Sequence, residues 1–483
     1  MSDRKNVLFI NVDEWPGALT GYAGHSDIMT PTLDQLARNG IIFDHCYSEC
    51  PVCIPARRSI MTGMSPRSHG DRVYSDTMLM PDAPTLAETF RSNGYQTFAA
   101  GKLHVYPQRD RIGFEDAVIT EEGRYEFGNV DDYQIWLGEN GYTGQEFLHG
   151  MGNNTYYTRL WHLPENAHPT NWVTLQMMKQ IKRRDPRRPF FFYCSYQFPH
   201  PPLVPLKAFW DMYSEDEILP PVNDYWYADK PIFKMMREAA SQYTPKEIKR
   251  ARRAFYAQCT HIDNQIRLLI GTLRECSVLD NTIIVFVSDH GDMLFDHGMV
   301  AKRSFYEGSA RVPFFISGKP VMDQKGTRSS RLVELEDIMP SLLQLCGIAV
   351  PDSVDGLSVF SSEERPYIYG EVGEGMKATR MIRWNKFKLI YYPCGNVFQL
   401  FDLYNDPDEM HDLSDNPAFY NTLDEGRQYL LKNLYGEDLK WIKDGAFAGF
   451  EAVFSPKADY GLYNQRGYHW PAPTGYSNIG KNA

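Results

Sequence analysis

The sequence predicts an α/β fold: a mainly parallel sheet flanked by helices, followed by a smaller C-terminal α+β domain that contains an antiparallel sheet. Three observations predict it. Short apolar runs alternate with helix signals through the first two-thirds of the 483 residues, the pattern of a parallel sheet with crossover helices. Several of these runs end at polar or charged groups, as they do when the carboxyl ends of strands in an open sheet carry a site. Near Ser361-Ser362-Glu363-Glu364-Arg365-Pro366 the alternation gives way to closely spaced short strands.

Val7 to Val12 is a continuous apolar run ending at Asp13-Glu14, which fits a strand buried on both faces. Pro31 to Asn39 reads as a short helix stopped by Gly40, and Pro84 to Asn93 repeats the pattern before Gly94. Cys53 to Thr62 is helix-like and closed by Gly63. Tyr95 to Ala100 is strand-like and runs into Gly101-Lys102-Leu103-His104. Residues 120–170 show weak periodicity, with Tyr125, Trp136, Tyr142, Tyr156 and Trp161 among their aromatics, and read as loops over one end of the sheet. Trp172 to Arg183 is helical. Pro189 to Gln197 is a buried strand leading to Phe198-Pro199-His200-Pro201-Pro202. Pro245 to Leu273 is a long amphipathic helix. Asn281 to Ser288 is a strand ending at Asp289-His290-Gly291, and Glu334 to Leu345 a helix stopped by Gly347. Beyond residue 365, Tyr367 to Glu371, Thr379 to Trp384, Lys386 to Tyr392 and Val397 to Leu403 read as antiparallel strands, with a helix from Asn421 to Asn433. The expected division is 1–365, 366–435 and an aromatic tail, 436–483. That tail is too rich in Tyr, Trp and Phe for a typical disordered segment and is read as covering another surface, a neighbouring subunit of a homo-oligomer being one candidate.

The formal charge of -11 argues against a nucleic-acid partner. No apolar run reaches membrane-spanning length. Met1 to Asn6 leads straight into the first strand with no secretory signal, so a cytoplasmic location is expected. Eight cysteines in so long a chain do not make a disulfide scaffold.

One segment concentrates chemistry. In Cys53-Ile54-Pro55-Ala56-Arg57, Pro55 suits a first helical turn. Cys53 then lies at a helix N-terminus, where unpaired N–H groups and the macrodipole favour an anion. Arg57, four residues on, shares its face. Taken alone, Cys53 also reads as an ordinary buried thiol, Asp13-Glu14 as a solvated strand end, Lys102 and His104 as an exposed pair on one side of a strand, and His200 as a structural histidine.

Together these segments resemble the type I sulfatases, formylglycine-dependent arylsulfatase-like enzymes of the alkaline phosphatase superfamily, over about residues 5–415. The C-x-P-x-R run continuing to Thr62-Gly63, Asp13-Glu14, Gly101-Lys102-Leu103-His104, His200, Ser288-Asp289-His290-Gly291, Lys302 and Tyr306-Glu307-Gly308 follow the family's order, and Phe401-Asp402-Leu403-Tyr404 resembles its closing segment. Glu14 departs from the usual Asp or Gln but still offers oxygen to a hard cation. The resemblance implies an alkaline-phosphatase-like fold and hydrolysis of an aryl, alkyl or carbohydrate sulfate monoester. It implies that a maturation enzyme oxidises Cys53 to formylglycine. Asp13, Glu14, Asp289, His290 and the modified Cys53 would hold one divalent metal, usually Ca2+ in this family, with Mg2+, Mn2+ or Zn2+ as alternatives. Arg57, Lys102 and Lys302 would face the sulfuryl oxygens, His104 the aldehyde hydrate, and His200, with Lys302 bridging to it, the leaving group. Asp292, Asp296 and His297 are read as loop surface.

Two rival enzymes stay open. Phosphonate monoester hydrolases or phosphodiesterases of the same superfamily share the metal site and formylglycine, but carry Tyr and Thr where Lys102 and His104 stand here. Cys46, Cys50 and Cys53 have a spacing that can hold an iron–sulfur cluster, although that leaves Arg57 and the Asp-His-Gly segment unexplained. A third reading is an inactive relative that only binds sulfated ligands.

Overall fold

The computed structural model describes residues 4–123, 130–223 and 230–451. Its centre is an eight-stranded sheet built from β1 (Asn6–Asp13), β2 (Gly40–Tyr47), β3 (Gln96–Gly101), β4 (Asp116–Ile119), β5 (Phe190–Pro199), β6 (Thr282–Ser288), β7 (Phe314–Ser317) and β8 (Thr327–Glu334). The order is β4-β3-β5-β1-β6-β7-β2-β8, and every pairing is parallel except the two made by β7. β1 is central and parallel to β5 and β6. Its alternating side chains supply both faces: Leu8, Ile10 and Val12 enter one apolar core, Val7 and Phe9 the other, as the two-residue repeat of a strand requires. The long helix Pro245–Glu275 and the helix Pro169–Arg183 pack on the first of these faces. Three parallel neighbours therefore end side by side, at Asp13, Pro199 and Ser288.

Several elements differ from the sequence expectation. Helix Pro31–Arg38 ends at Asn39, and Gly40 opens β2. Its glycine is required because a Cβ there would stand 2.2 Å from the Ile316 carbonyl oxygen. β2, β4, β7 and β8 add four strands to those expected: β4 and β7 are only four residues long, and the apolar start of β2 gives way to Asp44-His45. β8 is a largely polar edge strand, and it reaches Glu334, so the following helix runs only over Ile338–Leu345. Residues 120–170 are not all loop. Asp131 caps the helix Asp132–Glu139 by accepting from Gln134 N–H at 2.8 Å, and Tyr156 is a core residue. Tyr125 lies outside the described residues.

The second sheet is antiparallel, in the order β12 (Val397–Asp402), β11 (Phe387–Tyr392), β10 (Thr379–Trp384), β9 (Ile368–Val372). Helix Tyr420–Asn433 packs on it, with Gly426 beneath Trp384. The sheet is tied to the larger one by buried polar contacts: Tyr306 OH donates to Gln399 Oε1 at 2.8 Å, and Lys388 Nζ reaches Glu307 at 2.9 Å and Glu409 at 2.6 Å. The start of the tail, residues 436–451, folds back on this sheet, with Phe447 against Tyr391 and Phe398. The rest of the tail lies outside the described residues. Among the described residues no helix is long and apolar enough to cross a membrane.

Candidate active site

The helix Cys53–Thr62 starts where a nucleophile-class residue is wanted. Its N-cap, Val52, is extended and offers no side-chain cap, and Gly63 ends it in the left-handed region. Cys53 thus lies in the first turn, whose N–H groups have no intrahelical acceptor. Its Sγ stands 3.1 Å from His290 Nε2 and 3.7 Å from Asp13 Oδ1. Burial, then the Asp13 charge, push the thiol up to about 11, so unaided it stays protonated at neutral pH.

Asp13 ends β1 and Asp289 follows β6, so parallel pairing alone brings two carboxylates together. Glu14, whose backbone is left-handed at φ 69°, donates its N–H to Asp289 Oδ1 at 3.2 Å. The Trp15 N–H meets Ser288 Oγ at 2.9 Å, stitching the two strand ends. Arg57 braces the group. Its Nε lies 2.8 Å from Asp289 Oδ2 and Nη2 3.4 Å from Asp13 Oδ2, while Nη1 donates to the Lys102 carbonyl at 3.0 Å and Ser195 Oγ at 2.9 Å. With its amide turned to complement its neighbours, Asn11 also accepts from Arg57. The guanidinium is therefore spent on the carboxylates and strand ends around it.

Gly101 ends β3 at φ 105°, and a Cβ there would stand 1.8 Å from the Ser195 carbonyl oxygen. Lys102 and His104 follow the strand rather than extend it, and His104 is itself left-handed, so strand alternation does not orient them. Lys102 Nζ instead turns inward onto Asp13, and onto Glu122 at 2.7 Å. The His104 backbone N–H donates to Glu121, and its Nε2 lies 3.4 Å from Tyr74 OH. Burial opposes charge on Asp13, but Lys102, then Arg57, outweigh it and hold that carboxyl well below its usual range.

On the other side, Lys302 Nζ lies 2.6 Å from His200 Nε2 and 3.1 Å from Glu14 Oε2. His200 Nδ1 faces the Pro201 carbonyl at 2.6 Å. The imidazole therefore donates at Nδ1 and accepts the ammonium proton at Nε2. Burial and the Lys302 charge hold His200 well below its usual pKa, so it is neutral. Burial raises Glu14 well above the carboxylate range despite Lys302.

The donor set fits a hard divalent cation. Ligand atoms of Asp13, Cys53, Asp289 and His290 all lie within 4.8 Å of one another, as do those of Asp13, Glu14 and His200. Glu14 Oε1 is buried with no hydrogen-bond partner, an orphan that a bound ion would satisfy. Neither group includes Cys46 or Cys50, which pack in separate apolar clusters; this tells against a three-cysteine iron–sulfur site.

The structure thus gathers ten sequence-selected residues into one buried centre or its wall. Glu122, Ser195, Asn11 and Asp292 were missed. Glu122 had a signal: β4 is a short strand closing on an acidic pair, as β1 does. Asp292 and His297, read as surface, are buried. Asp292 accepts from Tyr156 OH, and His297 stacks on Tyr306 at 4.5 Å between centroids. Tyr306 and Glu307 serve the junction with the second sheet.

A parallel sheet whose strand ends present a cysteine-headed helix, clustered carboxylates and three buried cations defines a hydrolase centre for anionic esters of the alkaline-phosphatase-like kind. The chain belongs to the sulfatase family: the profile described as "Sulfatase" matches residues 5–348, and one described as "N-sulphoglucosamine sulphohydrolase, C-terminal" matches residues 295–434. It is 37% identical to an arylsulfatase of Clostridium perfringens over 90% of this chain and 95% of that protein. It is 31% identical to a choline-sulfatase of Rhizobium meliloti, over 86% and 83%. A phosphonate monoester hydrolase of Agrobacterium radiobacter has the same fold, with a TM-score of 0.76 at 20% identity, covering 89% of this chain and 95% of that one. The protein is a sulfatase.

Proposed function

We propose that the chain hydrolyses aryl, alkyl or carbohydrate sulfate monoesters with Cys53 matured to formylglycine beside one divalent cation, Ca2+ being the first choice for so oxygen-rich a site. The observation that carries this reading is the Cys53 sulfur at a helix N-terminus, within 4.8 Å of donor atoms of Asp13, Asp289 and His290. Asp13, Glu14, Asp289 and His290 would hold the cation. When bound, the cation and the hydrated aldehyde supply an acidified attacking hydroxyl and a second hydroxyl through which sulfate is released.

The chain's own residues supply the rest. Arg57 holds Asp13 and Asp289 in place. Lys102 and Lys302 bring positive charge to where sulfuryl oxygens sit, which stabilises charge developing in the transition state. Because His200 is neutral and accepts from Lys302, the proton offered to the departing oxygen is held at Lys302 Nζ, and His200 aims it. His104 takes the proton from the second hydroxyl. A maturation enzyme, a cytoplasmic location and assembly through the tail complete the proposal.

Two measurements test it: peptide mass mapping across Cys53, and initial rates on aryl sulfates, alkyl sulfates, a phosphate diester and a phosphonate monoester. The expected results are thiol-to-aldehyde conversion and a sulfate preference. An unmodified cysteine in fully active protein, or a phosphonate preference, overturns it.

A further inference from the structure

We infer that Asp292 is a positioning residue: from the root of the loop 293–301 it fixes where the Lys302 ammonium points, and Tyr156 fixes Asp292. The inference rests on the sulfatase reading above. Lys302 sits on an unusual stretch of backbone. Ala301 and Arg303, its two neighbours, are both left-handed, at φ 62° and 72°, and Leu294, Phe295 and His297 in the same loop are left-handed too. Side-chain-bearing residues adopt this region only at a steric cost, so surrounding contacts must impose it.

Those contacts converge on Asp292. One carboxylate oxygen, Oδ1, accepts from both ends of the loop: Leu294 N–H at 2.8 Å and Ala301 N–H at 3.1 Å. The Met293 N–H closes the root on the Ala301 carbonyl at 2.9 Å. The other oxygen accepts from Tyr156 OH, on a segment far away in sequence. Just beyond Lys302, the Arg303 N–H donates to the Pro51 carbonyl at 3.0 Å, two residues ahead of Cys53. Lys302 is therefore pinned on one side to Asp292 and on the other to the segment that presents the nucleophile. The loop tip is held separately, by Arg252 on Asp296 Oδ1 at 3.2 Å and Arg237 on the His297 carbonyl at 2.9 Å. Cutting the root can thus release Lys302 without releasing the loop. Asp292 itself touches no reacting group.

The test uses the leaving group as the readout. Asp292→Ala, Asp292→Asn and Tyr156→Phe are compared with wild type on phenyl sulfate, a poor leaving group, and on 4-nitrophenyl sulfate, a good one. A displaced proton donor matters most when the departing oxygen is basic. Asp292→Ala should lose roughly hundredfold in kcat on phenyl sulfate, the scale of a misplaced catalytic group, and only about threefold on 4-nitrophenyl sulfate. Asp292→Asn keeps an oxygen for both N–H groups and should restore most of the loss. Tyr156→Phe should show the same leaving-group bias, more weakly, and serves if Asp292→Ala does not fold. Acetylation of Lys302, read by peptide mass spectrometry, should rise in Asp292→Ala. Equal losses on both esters, or an Asn variant as impaired as the Ala variant, overturn the clamp while the sulfatase reading stands. No wild-type turnover of any sulfate ester by modified protein overturns both.

Discussion

The two sides of the centre are built differently. On one, Asp13, Asp289, Arg57 and Cys53 stand at the ends of regular elements, two adjacent parallel strands and the first turns of a helix. On the other, Lys302 is carried by irregular backbone and meets His200, just past the end of β5, beside Glu14. On the first side Asp13 is held ionised by Lys102 and Arg57, which also braces Asp289. The second is nearly neutral: a deprotonated histidine and a carboxyl whose proton affinity is raised surround a single ammonium. Rigid charge suits holding a cation and a nucleophile in line. A mobile proton suits release of the leaving group.

The largest expected effect would break the strand-end side. Arg57→Ala leaves Asp13 and Asp289 buried without their brace, and losing one partner of a buried ion pair costs about 3–5 kcal/mol. The variant should be inactive and its melting temperature should fall sharply. Lys302→Ala removes a cation from a carboxyl already disposed to take up a proton, so it should melt close to wild type while losing roughly 10²–10⁴-fold in kcat on poor leaving groups. Melting curves and rates on paired esters for both variants check the contrast. Comparable destabilisation by the two would erase it.

That asymmetry also set what could be read from the sequence. Strand β1 announces itself by an apolar run closed by an acidic pair, and β6 by its own run into Asp289-His290; register then brings them together without further information. The Cys53 helix carries its start and stop in Pro55 and Gly63. Lys302 could be matched to a family, but its own segment gives no clue to where it stands. Its place depends on its two left-handed neighbours, Ala301 and Arg303, neither of them a glycine, and on Tyr156, which is remote in sequence. Asp292 looked like loop surface for the same reason. The edge strands β4 and β8 were invisible because short or polar runs lack a periodic signal, and with β4 unread the nearby Glu122 went unnoticed.

Metal removal sharpens the comparison next. A cation at the Asp13–Asp289 side adds stability by mass action, about 2.7 kcal/mol at a hundredfold excess over Kd. Exhaustive chelation should therefore lower the melting temperature, and Ca2+ should restore it. Asp289→Asn should abolish the calcium-dependent increment, whereas Lys302→Ala should keep it. Calorimetric titration of Ca2+ into each variant reads the same contrast directly, and an increment that survives Asp289→Asn would move the cation elsewhere.

The smallest expected effect probes what lies beneath the Cys53 helix. Glu49, close to Ser59 of that helix, accepts from Leu335 N–H at 3.2 Å, and Arg365 binds Glu334 at 2.8 Å. Burial pushes Glu49 up to about 7 and Glu334 up to about 8. In the unfolded chain both titrate near 4.3. Between those values the folded state binds more protons than the unfolded state, so stability must fall as pH rises from about 4.5 towards 8. Only part of the shift survives solvent relaxation, leaving a slope worth roughly 1–2 kcal/mol across the interval. Glu334→Gln carries no charge to desolvate and should flatten that slope. At pH 5, where Glu334 is already protonated, it should match wild type. Because the cluster underlies the helix that presents Cys53 and not the Lys302 loop, the leaving-group dependence of kcat should be the same in Glu334→Gln as in wild type. Thermal melts at several pH values, run beside phenyl and 4-nitrophenyl sulfate assays, decide it. A slope unchanged by the substitution would remove Glu334 from the groups that set it.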